Sequence, residues 1–298
     1  SMQVNAGMME AADYHLGRLL EHLRANGQLE NTIVVVTSDN GPEYNTLGNT
    51  APTAQRTFER LWMAYESWDT TYENLGQPGS MAAIGHEWAS VSAAPFHLFK
   101  FNTTEGGLRV PVVISGPGIE NLGIVHGRTQ VADITPTLLE LTGATVDGDA
   151  FHGRSWKPLL DGTAQQVYGD TDPMVFEVSG AAAVYLGDWK ITRTLPPYGD
   201  GQWHLYDLAS DPGETTDLAD RHPLVLQEMI SDYRAYAEEV GVFELAPGQT
   251  ARKQLQINAL KGTAVNYWYF TAALAAFSAA LLYLVWWSFR QLLKRRVG

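Results

Sequence analysis

Asp39 and Asn40 stand side by side in Thr37-Ser38-Asp39-Asn40-Gly41-Pro42. A carboxylate and an amide carbonyl are the oxygen donors that hard divalent cations such as Ca²⁺ or Mg²⁺ accept. Two donors do not complete a site, so further ligands must come from elsewhere. The same residue types also close turns by bonding their own backbone, and the dipeptide alone leaves both roles open. Lys100 lies between Phe99 and Phe101, just ahead of Thr103-Thr104-Glu105-Gly106-Gly107. An ammonium there is either a point charge for an anionic substrate or a solvated surface lysine. Glu105, Gly106, Gly107 and Arg109 read as the parts that fix this loop, the glycines permitting tight backbone geometry. The 8 histidines show no metal-type spacing; His86, beside Gly85, is the one best placed to face a pocket. No G-x-S-x-G nucleophile signature occurs, and no glycine-rich phosphate loop follows a strand. With 0 cysteines, thiolate metal sites and cysteine nucleophiles are excluded.

The elements that must position these residues follow from periodicity. Met8, Met9, Ala12, Leu16, Leu19, Leu20 and Leu23 recur at helical spacing, and Gly27 is a stop. Thr32 to Thr37 is a short β-branched run, suited to a strand buried on both faces as in a parallel sheet. Asp39 and Asn40 then fall beyond the carboxyl end of a strand, where open α/β sheets bind ligands. Residues 43–98 are too long and irregular for a plain connection and read as an insertion or lid. Val112-Val113-Ile114 is a second short strand. Asp133-Ile134-Thr135-Pro136 opens a helix through Leu141, with Thr135 as the cap and Pro136 in the first turn, and Gly143 ends it. Beyond about residue 150 the pattern becomes short strands, at 175–178, 183–186 and 189–194, with a further one near 204–207. A helix then runs from Pro223 to about Val240. Strands in series followed by a helix predict a small antiparallel α+β subdomain.

The net charge of −13 argues against a nucleic-acid partner. The stretch from Gly262 to Phe289 contains no Asp, Glu, Lys or Arg, and a bilayer core of about 30 Å needs roughly 20 apolar residues as helix. Aromatic residues flank it, and Arg290, Lys294, Arg295 and Arg296 follow. A single membrane-spanning helix is therefore expected over 267–289. A polar linker at 244–266 would precede it, and a basic cytoplasmic tail at 290–298 would place the rest of the chain in the periplasm or outside the cell. The N-terminal SMQVNAGMMEAADYHLG is no signal peptide and reads as the middle of a helix, so a longer protein is expected upstream.

In combination and in order, four stretches resemble the C-terminal portion of a type I sulfatase of the alkaline-phosphatase superfamily. They are Asn31 to Gly41, Lys100 to Pro111, Asp133 to Leu139, and Leu205 to Leu208 with Asp211 to Glu214 and Asp217 to Ala219. Tyr72 to Gly76 and Ala94-Pro95 further resemble bacterial arylsulfatases with a long loop there. The likeness covers about residues 3 to 242. It implies an α/β fold: part of a sulfatase-like sheet sandwiched by helices over 1–150, with the small α+β subdomain at 151–243. It implies Asp39 and Asn40 as Ca²⁺ ligands, with Mg²⁺ the alternative, and Lys100 as the sulfate-binding, catalytic lysine acting on a small sulfate ester.

One departure stands out. The family's C-x-P-x-R or S-x-P-x-R motif, whose Cys or Ser becomes formylglycine, is absent: Ser210-Asp211-Pro212-Gly213-Glu214 has the proline but ends in glutamate. The resemblance thus implies a calcium-dependent, arylsulfatase-type hydrolase whose nucleophile belongs to an N-terminal portion, leaving this chain inactive alone. The alternatives are a phosphodiester or phosphonate hydrolase of the same superfamily and a non-catalytic membrane-tethered binding fragment.

Overall fold

The computed structural model describes residues 1–45, 60, 62–119, 123–144, 151–243, 245, 257, 261–262 and 268–296. Two compact units result, Ser1–Val242 and Phe243–Gly298.

The first unit opens with helix α1 (Met2–Ala25), which has no buried residue. Gly27, in the left-handed region at φ 67°, turns the chain into strand β1 (Val34–Thr37). β1 pairs antiparallel with β2 (Val112–Ser115), in register Val34 to Ser115 and Thr37 to Val112. This corrects the parallel, doubly covered strand expected from the β-branched run. Among the described residues β1 and β2 form a sheet of their own, and Val113 is 63% exposed. A continuous apolar run requires partners on both faces but does not say which chain supplies them. Between the two strands lie helix α2 (Gly85–Ala93) and the short helix α3 (Glu105–Leu108).

Helix α4 (Ile134–Leu141) begins after a single 3₁₀ turn at Val131–Asp133, not at Thr135. Asp133, fully buried, is the hub that sets this start. Its carboxylate accepts from the backbone of Gln130 and Arg154, from the Trp156 indole and from the Tyr168 hydroxyl. Thr137 donates to the Asp133 carbonyl and accepts from the Trp156 backbone, locking the same junction.

After helix α5 (Lys157–Leu160) comes an antiparallel sheet in the order β3-β4-β5-β6: Met174–Val178, Ala181–Leu186, Trp189–Arg193 and Trp203–Asp207. Gly187, at φ 53°, makes the tight β4–β5 turn. Helix α6 (Pro223–Val240) ends on Gly241 in the left-handed conformation. Its Met229, Ile230 and Tyr233 pack on Ala182, Val184, Ile191 and Leu205 to form the main core.

In the second unit helix α7 (Trp268–Arg296) runs through the basic cluster instead of stopping before it. Among the described residues no helix is long and apolar enough to cross a membrane, so the span expected over 267–289 and the cytoplasmic tail inferred from it are not supported. The helix carries six alanines between residues 272 and 280, together with Thr, Ser, Tyr and Trp. These dilute the larger aliphatic side chains that drive transfer into hydrocarbon. Most of the linker expected at 244–266, and residues 46–59 and 61 of the insertion, lie outside the described residues.

Candidate active site

Two loops form the site, and backbone hydrogen bonds stitch them together. The first follows β1 and carries Asp39 and Asn40. The second precedes α3 and carries Lys100. Gly41 N–H donates to the Gly107 carbonyl at 2.9 Å, and Lys100 N–H to the Pro42 carbonyl at 3.1 Å. This contact requires glycine on both sides. A Cβ at Gly41 would strike the Gly106 carbonyl, one at Gly106 the carbonyls of His97 and Leu98, and one at Gly107 the carbonyl of Asn102. Close backbone approach, not positive φ, explains the Gly106-Gly107 pair.

Within the first loop the Ser38 hydroxyl donates to the Asn40 carbonyl at 2.9 Å. Ser38 therefore supplies the side-chain bond that closes this turn. The Asp39 side chain is exposed and Asn40 half-buried, which leaves both oxygens available to a ligand. Among the described residues no group of three or more His, Cys, Asp and Glu is placed to hold a metal. As hard-oxygen donors Asp39 and Asn40 fit part of a Ca²⁺ shell, against the roughly six to eight oxygens that the ion takes.

Lys100 is neither free nor fully solvated. Its ammonium lies 3.0 Å from the Glu43 carboxylate, with 30% of the side chain exposed, and 5.3 Å from the Phe101 ring centroid. The loop around it is held tightly. Phe99 is buried, and the Asn102 amide donates to the carbonyls of Phe99 and Lys100. Leu98 and Phe101 both adopt positive φ, at 59° and 70°. Non-glycine residues in that region persist only where their surroundings over-determine them, a pattern that clusters at functional sites.

The buried group holding this loop was only half visible in the sequence. Glu105 does fix it, with Arg109 nearby but mainly through Lys190, Tyr185 and Glu214, which the local sequence does not mark. Its carboxylate accepts from the Lys190 ammonium at 2.9 Å and from the Tyr185 hydroxyl, while Arg109 stands 3.6 Å away. Glu214 completes the arrangement, 2.8 Å from Lys190 and accepting the Glu105 backbone N–H at 2.7 Å. Thr103 donates to the Ala182 carbonyl and shares a hydrogen bond with Thr192. Burial pushes the Glu105 carboxyl upward, but the Lys190 charge and the Tyr185 and Lys190 hydrogen bonds outweigh it and hold the group below its usual range. Burial likewise penalises the Lys190 ammonium; its phenolic and carboxylate neighbours overcome that and raise it. One signal was available in advance: a lysine inside the apolar strand Trp189-Lys190-Ile191 requires a buried counter-charge.

The chain is similar to known sulfatases. Residues 1–144 match the family model described as Sulfatase. An uncharacterized sulfatase of Schizosaccharomyces pombe is 34% identical over 250 residues, covering 81% of this chain and 44% of that protein. The arylsulfatase of Klebsiella aerogenes is 35% identical over 144 residues, covering 48% of this chain and 29% of its own. The chain thus spans less than half the length of these relatives. Among solved structures, the crystal structure of Ps i-CgsB shares the fold with a TM-score of 0.57 at 22% identity, over 85% of this chain and 46% of that one.

Proposed function

We propose, from the match of residues 1–144 to the sulfatase family model, that the intact protein hydrolyses sulfate esters of the arylsulfatase type and that this chain supplies one side of the active site. The observation that carries this reading is the pair of backbone bonds, Gly41 to Gly107 and Lys100 to Pro42, which bring an oxygen-donor pair and a lysine onto adjoining loops.

Lys100 binds a sulfate oxygen through its ammonium, exchanging the Glu43 carboxylate for the incoming anion. A half-exposed ion pair of this kind contributes about 0–1 kcal/mol, so the exchange costs little. From the same position Lys100 can donate a proton to the ester oxygen as it leaves. Asp39 and Asn40 would hold part of a Ca²⁺ ion, which when bound neutralises charge on the sulfate oxygens. No residue here fits the formylglycine motif: there are 0 cysteines, and no serine has proline at +2 and arginine at +4. The chain alone is therefore expected to lack turnover, and a second polypeptide segment of the same protein is its expected partner. Support for such a partner comes from α1, which has no buried residue, and from the uncovered face of β2.

The test uses 4-nitrophenyl sulfate with the purified 298-residue chain. No release of 4-nitrophenol is expected, whereas inorganic sulfate should bind and be lost with Lys100→Ala. Turnover by the chain itself, abolished by Lys100→Ala, would show that the nucleophile lies within it. Sulfate binding that survives Lys100→Ala would remove Lys100 from the site.

A further inference from the structure

His204, on β6, meets a carboxylate at each ring nitrogen. Its Nδ1 lies 2.7 Å from Asp217 and its Nε2 3.0 Å from Asp200. An ionised carboxylate only accepts, so each nitrogen must donate. A neutral imidazole carries one N–H, whereas the imidazolium carries two. The clamp is therefore complete only with a cationic His204. Burial works against that charge, but the hydrogen bonds and charges of Asp200 and Asp217 outweigh it and raise His204 above its ordinary 6.5. Asp200 faces the ring from the β5–β6 connection and Asp217 from the segment between β6 and α6. Strand β5 presents the uncharged Thr192 in register with His204. Lys190, two residues away on the same face, is committed to Glu105 and Glu214.

The two carboxylates are anchored differently. The second oxygen of Asp217 accepts from the backbone of Leu205 at 3.0 Å and of Ala219 at 2.9 Å, so Asp217 stays on the sheet with or without His204. Asp200 is exposed and belongs to the connection itself, where it accepts from the Gln202 backbone at 2.8 Å. That connection folds back on itself, Gly201 N–H donating to the Thr194 carbonyl and Tyr198 N–H to that of Leu195. It carries Tyr198 against the Lys100 loop, edge-on to Phe99 at 5.2 Å and 5.8 Å from His86. Thr192, the register partner of His204, shares a hydrogen bond with Thr103 of the same loop.

We propose that the imidazolium of His204 is a positioning group for the Lys100 loop: it ties Asp200 of the β5–β6 connection to Asp217 of the sheet, and loss of its Nε2 proton to water frees Asp200 and slackens the hold of Tyr198 on Phe99. The Nδ1 proton stays on the shorter contact, with the better-anchored Asp217. The clamp is thus complete below 6.5 and is lost as pH rises through the higher folded value. Its consequence for anion binding at Lys100 rests on the sulfate-ester reading; the clamp rests on its own geometry.

The experiment is NMR on the full chain, labelled at the histidine nitrogens and the aromatic rings, from about pH 5.5 to 9. His204 should titrate above 6.5, and the Tyr198 and Phe99 signals should move along the same curve. Asp200→Asn should lower the His204 midpoint by about 0.5–1 unit and uncouple both rings from it. His204→Gln, which has no titrating proton, should hold both rings near their high-pH positions throughout. Calorimetry with inorganic sulfate should show affinity falling about twofold to fivefold across the transition in the wild-type chain, beyond any fall in His204→Gln. A His204 midpoint at or below 6.5, or rings that do not follow it, would overturn the proposal. So would sulfate affinity that ignores the transition. If the rings follow His204 and no sulfate binds at any pH, the sulfate reading fails and the clamp stands. Thermal melting checks each variant, and should His204→Gln melt early, Asp200→Asn, altered at an exposed side chain, decides.

Discussion

Glu43 and Lys100 carry opposite charges whose pairing competes with any anion that Lys100 binds. Glu43→Gln should therefore tighten inorganic sulfate binding by about twofold to fivefold, since an exposed pair contributes under about 1 kcal/mol; isothermal titration at low ionic strength measures it. Lys100→Ala in the same background should abolish the gain. Backbone crowding sets a different kind of limit at Gly106. Gly106→Ala places a methyl group against the carbonyls of His97 and Leu98, neither of which is a flexible side-chain end. The expected loss is about 1–3 kcal/mol by urea unfolding, as for other overpacked sites, with sulfate binding lost as the two loops separate. Lys100, Asp39 and Asn40 were legible as candidates because their residue types carry the chemistry. Glu43 was not, because nothing in the local sequence says that the chain folds this carboxylate back onto Lys100.

The elements are tied to the site by the buried Glu105–Lys190–Glu214 group. Replacing Lys190 with alanine leaves two buried carboxylates without their cation, and breaking a buried pair in this way costs about 3–5 kcal/mol. The measurement is denaturant unfolding of Lys190→Ala. A loss below 1 kcal/mol would mean that water or relaxation compensates the carboxylates. The group also gives stability a pH dependence. Glu105 ionises below its ordinary value of 4.5 in the folded protein, so its contribution is complete above about pH 4.5 and fades as pH falls through the folded value. Lys190 is shifted the other way, above 10.5, so its share persists up to that pH and declines as pH rises through the still higher folded value. Thermal melts from pH 3 to 7 should therefore show an acid limb that flattens in Glu105→Gln. Periodicity located β3 to β6 and α6 within a few residues, Pro223 and Val240 being the observed limits of that helix. It placed the cap of α4 at Thr135, whereas the helix starts at Ile134 after Asp133, whose carboxylate is held by Arg154, Trp156 and Tyr168 far along the chain.

At the scale of the whole molecule, the first unit is unevenly finished. Its antiparallel sheet and α6 enclose a core, whereas α1 exposes Met8, Met9 and Leu19, and β2 exposes Val112 and Val113. Large apolar side chains left exposed on α1 and on β2 are each open to a partner surface. The purified chain should self-associate in a concentration-dependent way and bind a hydrophobic dye, as sedimentation and fluorescence would show. Met9→Lys and Val113→Lys should suppress both while leaving the melting of the β3–β6 sheet within a few degrees. A monomer with no dye binding would mean that the face is covered by the chain itself.

The sequence by itself determined which chemistries are open to this protein. The absence of cysteine, the Asp39-Asn40 pair, Lys100 between two phenylalanines and the glycines after Glu105 are matters of residue type, and residue type sets what a side chain can donate, accept or nucleophilically attack. The order of helices and strands was also determined locally, because periodicity and turn residues act over a few positions. Only the tertiary structure decided that Gly41 and Gly107 hydrogen-bond across the two loops, that Lys190 is the cation for Glu105 and Glu214, that β1 and β2 run antiparallel, and that Tyr198 meets His86. These contacts join residues dozens of positions apart. Their existence depends on how whole elements pack, which no local propensity encodes.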